Sequence, residues 1–298
     1  MVLADDELND LDGQGWGKLL LDHPQFADRC DWSKLDGSDW YDLLVEQPRF
    51  SDKCDWNKID AGYCSLLLWD HPEFADHCDW SKLNGNDWSG LLKHQPQFSD
   101  KCDWDKLDGE DWVELLLDRP QFSDKCDWSK LSSGEWLLLL KYIPRFFEHC
   151  DITQFDGRHW VYLLKNHLHF SGKCDWSKLD SWDWCELLLI YPQFFDHCDW
   201  NKLDGRCWSD MLQKHPQFSD KCDWNKLNGR EWIRLLIHQP QFSDKCDWDK
   251  LDGSAWCFLL CKHPQFSDKC DWDKLDDNHW RLLFRYQPQL ADKRPHSL

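Results

Sequence analysis

The chain has 298 residues, a net charge of −20 from 55 acidic against 35 basic side chains, 23 tryptophans and only two methionines. A field of that sign repels nucleic acid and an anionic membrane surface, and no run approaches the roughly 20 apolar residues of a membrane span. So many tryptophans point to duplication of a short unit.

Met1 to Asp12 is acidic and lacks the basic and apolar regions of a secretory signal. Residues 1–11 are expected to form an N-terminal cap, and the protein is expected in the cytoplasm. From Asp12 the sequence aligns with itself at a shift of 24 residues. Cys-Asp-Trp recurs from Cys30 to Cys270, with Cys150-Asp151-Ile152 the one variant. A second tryptophan column runs from Trp16 to Trp280 and is replaced once, by Cys64. A proline column runs from Pro24 to Pro288 and fails only at Leu168; a phenylalanine column runs from Phe26 to Phe266 and ends as Leu290. Residues 12–298 therefore read as a single solenoid of twelve units, the last truncated.

The unit Asp36 to Ile59 shows the local logic. Asp36 and Asp39 stand three apart before an apolar-periodic run, a weak form of the capping box. Trp40, Leu43 and Leu44 fall on one helix face. Pro48 cannot continue that helix and biases Gln47 out of it, so a helix of about ten residues is expected over 37–47. Pro48 is placed to start a second, short helical or 3-10 turn, on which Phe50 and Cys54 share a side. One unit cannot seal its own apolar sides; stacked units cover each other.

These features predict an all-α repeat solenoid. The alternative is an α/β leucine-rich-repeat-like solenoid with short parallel strands at Cys-Asp-Trp. Cys54-Asp55-Trp56-Asn57 resembles the strand stretch of leucine-rich repeats, with Cys and Trp for two leucines. Against it, Ile59 falls where that family places its ladder-forming asparagine, and a strand would stack the Asp column at about 4.8 Å. The unit also resembles the bacterial leucine-rich-repeat-variant type, in length, helix placement and the Ser-Lys-Leu turn; that resemblance implies an all-helical fold.

Sixteen cysteines invite disulfides, metal or plain packing. The column thiols lie between Phe and Trp and read as small apolar residues. Equivalent Cα atoms on packed helices stand beyond disulfide reach. There is no Cys-x-x-Cys, and pairs such as His77-Cys78 lack zinc spacing. No metal and no cofactor is expected. Aspartates repeated alike in every unit argue against catalysis, which needs unlike environments, and no phosphate-loop, nucleophile-elbow or zinc-protease motif occurs. The protein is expected not to be an enzyme. Histidines such as His71 and His263 precede the column proline and suit helix C-termini.

The block from the proline to the following leucine, such as Pro96 to Leu107, hardly changes between units, whereas the outer helix positions change freely. Either these positions are merely solvated, or they form a recognition strip. Aromatic residues on an acidic surface favour the strip: Tyr41, Trp69, Tyr142, Tyr162, Tyr191, Phe258 and Tyr286. Trp69 and Trp182 lie off the columns and are expected to be exposed. The expected partner is another protein. Spacer, carbohydrate-binding and enzymatic roles are the alternatives. The pattern weakens over 143–170, and Lys293-Arg294-Pro295 stands where Cys-Asp-Trp should begin, an open edge that suits self-association.

Overall fold

The computed structural model describes residues 5–294, and among them there is no strand. The chain divides into two compact units, Met1–Gln154 and Phe155–Leu298. The first holds α1 (Asp5–Asn9), α2 (Gly13–Asp22), α3 (Gly37–Glu46), α4 (Ala61–Asp70), α5 (Gly85–His94), α6 (Gly109–Asp118) and α7 (Ser133–Tyr142). The second holds α8 (Gly157–Asn166), α9 (Ser181–Ile190), α10 (Gly205–Lys214), α11 (Gly229–His238), α12 (Gly253–Lys262) and α13 (Asp277–Tyr286). Within each unit the successive repeat helices pack on one another. This is an all-α repeat solenoid, and the leucine-rich-repeat alternative is overturned.

In most repeats the aspartate of Cys-Asp-Trp caps a turn, and Trp104–Lys106 and Trp248–Lys250 make the same turn without that bond. Cys54 has an extended backbone (φ −70°, ψ 132°), but the Asp55 side chain accepts the Asn57 N–H and turns the chain into a 3-10 helix, Trp56–Lys58. A second 3-10 helix, Pro48–Lys53, starts with Pro48 at its first turn. Each complete repeat thus carries two short turns where the sequence suggested one. The expected helix over 37–47 is Gly37–Glu46, with Gln47 as its C-cap. Its capping box is complete: the Asp39 N–H donates to Asp36 Oδ1 and the Asp36 N–H to Asp39 Oδ2, both at 3.0 Å.

Three devices join one repeat to the next. The first is aromatic. Trp40 is fully buried, and the turn tryptophan of the preceding repeat, Trp32, stacks on it at 5.4 Å and leans on Phe50 at 5.5 Å. Trp224 does the same to Trp232 and Phe242. Where Cys64 replaces the column tryptophan, Trp56 keeps a stack on His77, at 4.1 Å and 1°, a contact that Trp128 and Trp176 also make, with His149 and His197.

The second is a lysine clamp. Lys58 Nζ donates to the carbonyls of Ser33 and Leu35 in the preceding repeat, at 2.7 and 2.6 Å. Lys106, Lys130, Lys202, Lys226, Lys250 and Lys274 repeat the pattern. The turn carbonyls that no helix satisfies are thereby bonded to a cation. At two of these joints the approach leaves no room for a side chain: a Cβ on Gly37 would collide with the Lys58 carbonyl, and one on Gly205 with that of Lys226. Ser181 brings a Cβ to the equivalent joint and Lys202 keeps the clamp; Ala61 brings one too, with a different outcome. There Lys82 leaves the clamp, stands 71% exposed and lies 3.5 Å from Asp79. Gln154 takes the lysine's place at the end of the first unit and reaches only its own turn, at Asp151.

The third device closes the helix C-termini. Gln47, Gln95, Arg119, Gln239 and Gln287 donate to a carbonyl near the end of the preceding helix. Two of the histidines before the column proline belong to this row, whereas the buried Nε2 of His215 meets no hydrogen-bond partner. His71 Nε2 lies 3.0 Å from the Val45 carbonyl and His263 Nε2 2.9 Å from that of Ile237, so they serve the neighbouring helix and not their own.

Candidate interaction surface

Let each helix N-cap be position 1 of its repeat. Positions 5, 8 and 9 point inward; Trp40, Leu43 and Leu44 are all 0% exposed. Positions 3, 7 and 11 stand on the ridges of an outer helix row, and positions 6 and 10 line the grooves between successive helices.

The strip read from the sequence divides accordingly. Tyr142, Tyr162, Phe258 and Tyr286 are exposed on the ridges, at 60%, 38%, 56% and 58%. Tyr41 is half-buried in a groove and packs on Tyr63 at 5.2 Å. Trp69 was expected to be exposed and is half-buried: it lies flat on His94 at 4.2 Å, in space that Gly90 leaves open. Tyr191 is at position 12, half-buried, and its hydroxyl donates to the Lys165 carbonyl at 3.3 Å, as the glutamines of that row do. Trp182 is 59% exposed, as expected, with the Arg206 guanidinium 5.5 Å from its ring. Leu138, Ile190 and Leu282 join the exposed apolar residues of the ridges.

Charge on this row differs between the units, which the sequence reading missed. In the first unit, Lys18, Lys93 and Lys141 stand against Asp22, Asp42, Glu46, Asp70, Glu110, Glu114 and Asp118: three basic and seven acidic, net −4. In the second, Arg158, Lys165, Arg206, Lys214 and Arg230 are joined by Arg234, Lys262, Arg281 and Arg285, all exposed. Only Glu186 and Asp210 oppose them, so nine basic and two acidic side chains leave a net +7. Both acids are engaged, Glu186 by Lys165 at 2.7 Å and Asp210 by Arg234 at 2.6 Å. The signal was available by sorting charges by repeat position; the whole-chain value of −20 hides it.

Three grooves open on the second unit's row. One of about 710 Å³ lies between α8 and α9, with Tyr162, Trp182 and Arg158 at its rim. One of about 610 Å³ lies between α11 and α12, lined by Ile233, Arg234 and Phe258. One of about 560 Å³ lies between α12 and α13, lined by Cys257, Phe258, Leu282 and Tyr286.

The cysteines form no disulfide. All sixteen are free thiols. Those of the Cys-Asp-Trp column are mostly half-buried, with Cys78 and Cys198 fully covered, so they are less enclosed than the core reading expected. Burial, helped by the adjacent aspartate, pushes Cys30, Cys54 and Cys102 up to about 12. The Cys78 thiol, donating a hydrogen bond to Cys64, is likewise raised by that bond and by burial. Among the described residues no three His, Cys, Asp or Glu side chains gather as metal ligands, and no helix is long and apolar enough to cross a membrane.

No protein-family model, no curated protein and no solved structure matches the chain. The resemblance to leucine-rich repeats thus has no support beyond repeat length and helical pattern.

Proposed function

We propose that this protein is a non-catalytic interaction scaffold that binds another protein along the outer helix row. The reading is carried by one observation: exposed aromatic and apolar side chains collect on the ridge positions that vary between repeats, while the buried columns and turns hardly vary. Rigid aromatic side chains held on a helical scaffold supply contact area at low entropic cost. Within each unit every repeat adds one helix to the row.

The test is comparative. Tyr142, Tyr162, Phe258 and Tyr286 are replaced together by serine, and a control carries serine for the exposed turn residues Lys53, Lys101, Lys221 and Lys245. Proteins captured from lysate are quantified for both against the parent, after circular dichroism shows equal helix content. A partner lost with the first variant and kept by the second is the expected result. Equal recovery by all three would remove the row from consideration.

A further inference from the structure

The second unit's row is cationic on a strongly anionic protein, and that contrast selects a partner. We infer that this row docks an acidic polypeptide segment carrying an apolar side chain at about every third residue; the inference rests on reading the outer row as an interaction surface.

Charge complementarity comes first. The row's two acids are already paired, so the remaining guanidinium and ammonium groups face solvent as a like-charged array. Like charges gathered this way repel one another, and an anionic ligand relieves the repulsion and is drawn to the row over others. Arginine predominates, with Arg158, Arg206, Arg230, Arg234, Arg281 and Arg285, and its planar fork grips a carboxylate with two bonds.

Apolar anchoring comes second. The grooves between these cations are floored by Val161, Ile233, Cys257 and Cys261 and flanked by Tyr162, Phe258, Leu282 and Tyr286. Such surfaces hold side chains and offer little to read the edges of bases. Acidic turns elsewhere on the chain also repel a polyphosphate along its length. A polypeptide is favoured over nucleic acid on both counts.

Spacing comes third. Packed helices stand roughly 8–10 Å apart, so the α11–α12 and α12–α13 grooves are offset by about that interval, and the α8–α9 groove lies about three intervals further along the row. A polyproline II segment advances about 9.3 Å in three residues and returns to the same face. One apolar residue in three keeps this register, so that apolar side chains reach the three grooves, and the acidic pairs between them meet the ridge arginines.

The probe is a fluorescein-labelled peptide repeating Phe-Asp-Glu about seven times, with fluorescence anisotropy against the full chain. Ser-Asp-Glu and Phe-Ser-Gln repeats of equal length and an oligothymidylate serve as competitors. The expected result is saturable binding that weakens at least tenfold as salt rises from about 50 to about 300 mM. Replacing Arg158, Arg206, Arg230, Arg234, Arg281 and Arg285 by glutamine weakens binding at least tenfold, and so does the Ser-Asp-Glu repeat. Glutamine at Lys18, Lys93 and Lys141 leaves binding unchanged. Should the arginine variant lose helix content, Phe258→Ser with Leu282→Ser takes its place, with the same expected loss. No binding, binding unaffected by the second-unit variants, or tighter binding of oligothymidylate overturns the inference. So does a salt-sensitive dimer in sedimentation that the arginine variant abolishes, since the row would then be filled by a second copy. A partner still captured through Tyr142, Tyr162, Phe258 and Tyr286 while the acidic peptide fails would sink this inference and leave the scaffold reading standing.

Discussion

The two compact units bury the same columns, each in its own interior, and differ in their outer rows. Trp112, Leu115 and Leu116 of the first unit and Trp232, Leu235 and Leu236 of the second occupy the same positions, and all are 0% exposed. On the ridges above them the first unit carries Glu110, Glu114 and Asp118, and the second Arg230 and Arg234. Packing density punishes change in the interior columns, whereas a ridge substitution away from any partner costs within about 0.5 kcal/mol. Surface character is thus free to diverge from one unit to the next without disturbing the fold. Two chemically distinct faces on one scaffold are the result.

The comparison has sharp consequences for stability. The largest effect falls in the shared interior: Trp112→Ala and Trp232→Ala should each destabilise by about 3–5 kcal/mol, measured by urea unfolding. Similar values would confirm a common core, and a markedly smaller loss in one unit would break the equivalence. The indole N–H of each meets no oxygen or nitrogen acceptor, so phenylalanine, which keeps the ring face, should cost far less than alanine.

The lysine clamp comes next. Lys106→Met in the first unit and Lys226→Met in the second each remove two charge-assisted bonds to turn carbonyls, an expected loss of about 1–3 kcal/mol. Lys82→Met, at the joint with Ala61, should change stability by less than about 0.5 kcal/mol. Equal effects at Lys82 and Lys106 would show that the clamp adds nothing beyond a surface charge.

The smallest effect is a pH trend. Asp111 and Asp183 close their capping boxes from buried positions, 9% and 3% exposed, against the glycine that starts the preceding helix. Burial pushes both carboxyls above the usual range, and the negative charge of Asp108 or Asp180 adds to it. A folded pKa above the unfolded one means that the native state binds more protons between the two values. Each group therefore lowers stability as pH rises through that window, and the penalty is fully present at neutral pH. Asp111→Asn and Asp183→Asn remove it. Their melting temperatures relative to the parent should be higher at pH 7 than at pH 4, by similar amounts in the two units. A difference independent of pH would contradict the assignment.

Much of this was legible in the sequence because the repeat multiplies each signal. An unbroken shift of 24 residues, an aspartate, asparagine or serine before each apolar run and, except at Leu168, a proline after it specify the ten-residue helices and their ends. The second 3-10 turn was harder to see, because Cys-Asp-Trp-Asn fits either a strand or an aspartate-capped turn on propensity alone. The site was legible in part. Tyr142 and Tyr286 stand on the ridges where helical spacing puts them, while Tyr191 lies one position beyond its helix and turns back to a carbonyl. Nothing in the local sequence of Trp69 announces that Gly90, 21 residues on, makes room for its ring.

The sequence by itself determined the repeat, the helix boundaries and the inward columns, because caps, breakers and apolar period act within one unit. Tertiary structure alone decided how units join: that Lys58 reaches back to Ser33 and Leu35, that Gly37 must lack a side chain, and that Trp32 lies on Trp40. It also separated ridge from groove, and with that separation the positive face of an acidic protein came into view. These contacts link residues 8 to 25 positions apart, and packing between repeats, not local conformational preference, sets them.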